Sequence, residues 1–127
     1  MAEAVLDASA LLAVIHREEG GEKVRRRLND GLVSTVNFAE VAARLADRGI
    51  SADEIAETIG LLGVQVVPFT EAQALLSGML RPRTRHLGRS LGDRACLALA
   101  LERGVQAITA DRAWAGLDVD VRVEVVR

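Results

Sequence analysis

The 127-residue chain has no tyrosine, one tryptophan and two phenylalanines. So few rings cannot build a base-stacking platform of the kind used by RRM or OB folds, and any contact with RNA must be made by other means. Its single cysteine, Cys96, can form no internal disulfide, which fits a reducing compartment. The apolar neighbours of Cys96 mark it as a packed core thiol rather than a nucleophile. No apolar run approaches the length that spans a bilayer, and the first residues lack the basic start and small-residue cleavage site of a signal peptide. The expectation is a soluble, cytoplasmic protein with no membrane partner. Charge of one sign is also missing: 16 basic against 18 acidic residues leave a net charge of -2, so bulk charge neither recruits nor excludes a nucleic acid. Lysine is nearly absent, with Lys23 the only one.

Half of the residues are hydrophobic, so a chain of this length can bury a core as one domain over residues 1–127. Short β-rich runs alternate with longer helical stretches. Strands are expected at 3–7, 31–35, 64–69, 105–109 and 120–126, the last alternating strictly enough to be an edge strand. Helices are expected at 9–18, 22–29, 38–48, 52–62, 71–80 and 91–103, several stopped by glycines such as Gly49 and Gly104. The helix 91–103 is apolar around most of its circumference and should be central. Such alternation predicts an α/β fold with a parallel sheet covered on both sides and right-handed crossovers.

Against this background two acids stand out. Asp7 interrupts the apolar run "AVLDASALLAVI", and Asp111 closes "VQAITAD". In an open parallel sheet ligands bind beyond the carboxyl ends of the strands. Asp7 and Asp111 fall at two such ends. Glu40 follows the second strand in the first turn of its helix, and Asp93 sits in the first turn of the helix after an arginine-rich loop. All four point toward one rim.

Each acid alone has a plain structural account. Ser90 with Asp93 and Asn37 with Glu40 have the spacing of capping boxes, and Asp7 and Asp111 could be simple N-caps. Ser51 with Glu54 and Thr70 with Gln73 use the same device elsewhere. Together the four are harder to explain by capping. Crowded, partly desolvated carboxylates repel one another and either take a raised pKa or need a compensating cation, and the only lysine lies in the second helix. Oxygen-only ligands suit Mg²⁺ or Mn²⁺ rather than Zn²⁺. Metal-assisted phosphodiester hydrolysis is the reaction such a pit suits best.

The stretches "VLDASALLAVI", "STVNFAEVAARL", "SLGDRACLALAL" and "ITADRAW" resemble the four acidic motifs of PIN-domain ribonucleases, in particular the small VapC-type toxins of toxin–antitoxin pairs. The resemblance runs from residue 3 to about 125, in the family's order. It implies a three-layer α/β/α sandwich with a parallel sheet of about five strands. It implies that Asp7, Glu40, Asp93 and Asp111 are the catalytic quartet holding one or two Mg²⁺ or Mn²⁺ ions. Asp7 and Asp93 would be direct ligands, while Glu40 and Asp111 would bind a second ion or orient the attacking water. Ser9 and Thr109 match the supporting hydroxyl residues. The resemblance further implies hydrolysis of RNA, a homodimer, and a cognate VapB-type antitoxin that covers or disturbs the acidic rim.

Arg81, Arg83, Arg85, His86, Arg89 and Arg94 place positive charge just before and beside Asp93. Next to an acidic pit such a cluster suits an RNA backbone, with Arg81, Arg83, Arg85 and Arg89 as the candidate contacts. Lys23, Arg25, Arg26 and Arg27 read instead as a wet helix face. His16, near the end of the first helix, and Trp114, just past Asp111, read as structural. Two other classes compete. A receiver domain would need a late lysine and a phospho-accepting aspartate where "VQVVPF" ends, and neither is present. A catalytically silent partner-binding module would keep the acids only as caps.

Overall fold

A computed structural model describes residues 2–85 and 90–127. Five strands form one parallel sheet: β1 (Ala4–Leu6), β2 (Gly31–Ser34), β3 (Gln65–Val67), β4 (Gln106–Thr109) and β5 (Val123–Val125), in the order β3-β2-β1-β4-β5. Six helices connect them: α1 (Ala8–Ile15), α2 (Gly21–Arg25), α3 (Thr35–Asp47), α4 (Ala52–Leu61), α5 (Glu71–Met79) and α6 (Leu91–Arg103).

The period of two along each strand divides the apolar side chains between the faces of the sheet. Ala4, Leu6, Val33 and Ile108 join a core with α1, α2, α3 and α4. Val5, Leu32 and Ala107 join a second core with α6, Leu80 and the fully buried Trp114. The result is the three-layer α/β/α arrangement. Cys96 is buried in the second core, as its apolar context requires. Buried on both sides, β1 has only Ala, Val and Leu, the composition of a central parallel strand. Among the described residues no helix is long and apolar enough to cross a membrane.

Several boundaries differ from the sequence expectation. Strand β3 is only Gln65–Val67, because Pro68 has no N–H to continue a ladder. Strand β5 is Val123–Val125, half-buried throughout, at the sheet edge. Helix α3 begins at Thr35 rather than near residue 38. Ser34 is its cap, the hydroxyl accepting the Val36 N–H at 3.2 Å. Glu40 therefore sits in the second turn, and the capping box expected from Asn37 and Glu40 does not form: Asn37 lies inside the helix. The β-branched Thr35 and Val36 read locally as strand, but docking of α3 outweighs their modest helix penalty.

Arg27 also departs from expectation. It is not part of a wet face: its guanidinium donates to the Ala2 carbonyl at 3.1 Å and lies 3.9 Å from the Glu124 carboxylate. His16 caps the end of α1, its N–H donating to the Leu12 carbonyl at 2.8 Å.

Candidate active site

The strand order reverses direction about β1, with β2 on one side and β4 on the other, and the carboxyl ends of these strands open a cleft. Asp7 follows β1 directly and caps α1, where Oδ1 accepts the Ala10 N–H at 2.8 Å. Oδ1 also accepts from Ser9 Oγ at 2.7 Å, and Oδ2 accepts from Thr109 Oγ1 at 2.5 Å. Ser9 Oγ accepts the Ala110 N–H at 2.9 Å, and Thr109 Oγ1 accepts the Asp111 N–H at 3.0 Å. The hydroxyls of Ser9 and Thr109 thus join the ends of β1 and β4 around one carboxylate.

Those donors favour the ionised form of Asp7, but burial outweighs them. The residue is 4 % exposed, and loss of hydration raises its pKa from 3.8 to about 6, against the lowering by Thr109, Ser9 and Ala10.

Asp93 stands in the first turn of α6, where the Ser90 hydroxyl accepts its N–H at 3.4 Å. The return bond of a capping box, from the Ser90 N–H to the Asp93 carboxylate, is not made among the described residues. The Asp93 pKa rises from 3.8 to about 7, through burial first and then through the charges of Asp7, Glu40 and Asp111, with Arg94 opposing. The repulsion places all four acids in one electrostatic neighbourhood. Beneath them the Cys96 thiol is pushed well up, by burial and then by Asp7, Asp93 and Glu40.

Glu40 accepts a 2.7 Å hydrogen bond from Asn37 Nδ2, which also donates to the Gly92 carbonyl at 3.1 Å. Its carboxylate packs so close to α6 that a Cβ on residue 92 would stand 2.0 Å from Oε1. A side chain at residue 92 would therefore displace the Glu40 carboxylate from its place. Asp111 is exposed and caps the short turn Arg112–Trp114, accepting the Ala113 N–H at 2.9 Å.

Asp7, Glu40, Asp93 and Asp111 line one cleft of about 350 Å³, together with Ser9, Asn37, Glu18, Arg44 and Arg127. Every acidic donor is a carboxylate oxygen, the set suited to a hard divalent cation. Buried Asn37 Oδ1 has no partner and adds a neutral oxygen to that set. Among the described residues no three of these acids are already drawn into a metal-ligand cluster. On this donor chemistry the residues fit Mg²⁺ or Mn²⁺.

The arginines behave differently from one another. Arg83 pairs with Asp118 at 3.6 Å and Asp120 at 3.5 Å, and Arg94 donates to the Ser77 carbonyl at 3.5 Å. None of Arg81, Arg83 and Arg85 lines the acidic cleft. His86 and Arg89 lie outside the described residues. The cations that do line it, Arg44 and Arg127, were not singled out from the sequence. Arg44 carried a usable signal, four residues after Glu40 and thus on the same helical face. Arg127 carried none. It reaches the cleft because the Val126 N–H donates to the Thr109 carbonyl at 2.9 Å, and there it pairs with Glu18 at 3.3 Å.

The family model for the PIN domain matches residues 4–119. No curated protein matches the chain by sequence. Among solved structures, a toxin–antitoxin complex from Klebsiella pneumoniae is similar at a TM-score of 0.72, with 18% identity over 98% of each chain. DNA-bound VapBC from Salmonella typhimurium is similar at 0.70, with 17% identity over 100% of each chain. VapC20 from Mycobacterium tuberculosis, described as a sarcin-ricin loop cleaving toxin, is similar at 0.68 with 18% identity, over 94% of this chain and 99% of that one. At such identities the likeness is one of fold.

Proposed function

The chain belongs to the PIN-domain family, and from that premise we propose that it is a metal-dependent ribonuclease, the toxin of a toxin–antitoxin pair. The observation that carries the reading is the convergence of Asp7, Glu40, Asp93 and Asp111 on one cleft, where burial first and then the charges of the other three acids raise Asp93 to about 7. No capping role accounts for that convergence, since a cap needs one acid at one helix end.

Asp7 and Asp93 would hold a first Mg²⁺ or Mn²⁺ ion, with Glu40 and Asp111 on a second ion or on the water. When bound, the ion lowers the pKa of water and offsets charge on the phosphate. The chain's own residues do the rest. Ser9, Thr109 and the Ala10 N–H fix both oxygens of Asp7, so that the carboxylate is oriented before any ion arrives. Asp111, exposed at the cleft, would orient the attacking water. Positive charge for the RNA backbone comes from Arg44 and Arg127 at the cleft, and further out from Arg81, Arg83 and Arg85. The description of VapC20 as a sarcin-ricin loop cleaving toxin supports RNA as the substrate class.

Two protein partners belong to the proposal. An antitoxin of the VapB type would cover the groove between α3 and α4, about 530 Å³ and lined by Phe38, Ala42, Ala46 and Ile55 among others. That the structural neighbours include toxin–antitoxin complexes supports an antitoxin as partner. A homodimer would use the exposed apolar strip of Leu75 and Met79 on α5, 71% and 68% exposed.

The test is RNA breakdown by purified protein with Mn²⁺, repeated with EDTA and with Asp7→Asn. Breakdown only by the parent protein with Mn²⁺ supports the proposal. Equal breakdown in all three means contamination or metal-free chemistry, and none in any of them favours a silent binding module.

A further inference from the structure

Asn37 is 1 % exposed, on the face of α3 that also buries Val41 and Leu45. A polar side chain in such a position is costly unless its groups are hydrogen-bonded. Its Nδ2 is doubly used, donating to Glu40 Oε1 at 2.7 Å and to the Gly92 carbonyl at 3.1 Å. Those two acceptors settle which way the amide lies, because the reverse orientation would set Oδ1 against a carboxylate and a carbonyl. Oδ1 is left buried with no partner, in a residue that lines the acidic cleft.

From this geometry we propose that Asn37 is a positioning residue of the site, tying Glu40 to the first turn of α6 and keeping its own carbonyl oxygen for a donor or cation brought into the cleft. The inference rests on the reading of the cleft as a divalent-cation site. Glu40 and Asp93 come from different helices and repel each other, so their spacing needs a fixed bridge. Asn37 is that bridge: one amide grips the acid of α3 and the backbone of the residue before Asp93. The absent side chain of Gly92 makes room for it, since a Cβ there would meet the Glu40 carboxylate at 2.0 Å. No other natural side chain of similar size offers two N–H donors and one oxygen acceptor. Aspartate would lose both donations and set a second carboxylate against Glu40, and leucine would offer neither group.

The first experiment is calorimetric titration of Mn²⁺ into the parent protein and into Asn37→Leu, each shown to be folded by thermal melting in EDTA. Removal of an outer support is expected to weaken Mn²⁺ binding by about 10- to 100-fold. Equal affinity in the two folded proteins overturns the inference, because a purely structural role lowers the melting temperature without touching affinity. A parent protein that takes up no ion overturns the metal reading itself, which is a distinguishable result. The second experiment needs no altered Asn37: the side-chain amide resonances of Asn37 should shift on addition of Mg²⁺ and in Glu40→Gln. Resonances that move in neither case overturn the inference even where Asn37→Leu does not fold.

Discussion

Thr109 Oγ1 donates a 2.5 Å hydrogen bond to Asp7 Oδ2, joining residues 102 positions apart at the ends of adjacent strands. The bond exists because β1 and β4 pair in parallel register, with Leu6 opposite Ile108, so the residues that follow meet at the same height. A buried carboxylate is held in one orientation by a hydroxyl from across the sheet.

Thr109→Val removes that hydroxyl at nearly constant volume. The buried Asp7 carboxylate loses a donor, and stability is expected to fall by about 1–3 kcal/mol. RNA cleavage should fall by about 10- to 100-fold as the acid loses its orientation. Denaturant titration and a cleavage time course measure the two effects separately, and a variant unchanged in both would remove Thr109 from the site.

Stability without metal should decline as pH rises. Asp7 and Asp93 hold their protons to about 6 and about 7 in the fold, against 3.8 for the ordinary carboxyl. The folded state then binds more protons than the unfolded chain from about pH 4 to about pH 7. Both forms are protonated below that window, and the cost of charging the buried pair is complete above it. Melting temperature in EDTA is therefore expected to fall across the window, and Mn²⁺ to restore it at the upper end. A melting temperature that rises with pH in EDTA contradicts this.

Asp93→Asn separates charge from capping. With one repelling carboxylate gone, the metal-free fold should be as stable as the parent or more so, while cleavage is lost. Ser90→Ala should do the reverse, costing about 1 kcal/mol of stability through the lost cap and leaving cleavage in the folded protein. Melting curves and cleavage of both variants decide. Unfolding of Asp93→Asn would restore the plain capping account.

Arg44→Ala is expected to weaken RNA binding across all sequences and to reduce the slope of log affinity against log salt by about 1. Fluorescence anisotropy with a labelled RNA at several salt concentrations gives the slope. An unchanged slope here, with a lowered one in Arg81→Ala/Arg85→Ala, would assign the backbone contact to the loop.

Much of the scaffold was legible in local pattern. The apolar run of β1, the glycine stop after α6 and the Ser51 and Thr70 caps are short-range features, and the structure repeats them. The Ser51 hydroxyl accepts the Glu54 N–H at 3.2 Å, and that of Thr70 accepts the Gln73 N–H at 3.1 Å. Local pattern points to a later start for α3 because Asn37 has the residue type and spacing of a cap. Ser34 takes that role once α3 packs, and Asn37 turns inward instead. The loop arginines attracted notice through density of charge alone, which says nothing of whether acids such as Asp118 and Asp120 lie within reach.

By itself the sequence determined the alternation of strand and helix and the positions of the four acids relative to the strand ends, because both follow from residue type and period along the chain. Only the tertiary structure decided that burial and mutual repulsion together hold Asp7 and Asp93 far above the usual carboxyl range, and that Arg44 and Arg127 share their cleft. Those facts depend on distances between residues far apart in sequence. Hydration and Coulomb energies are set by such distances and by what surrounds each charge, and no local pattern carries them.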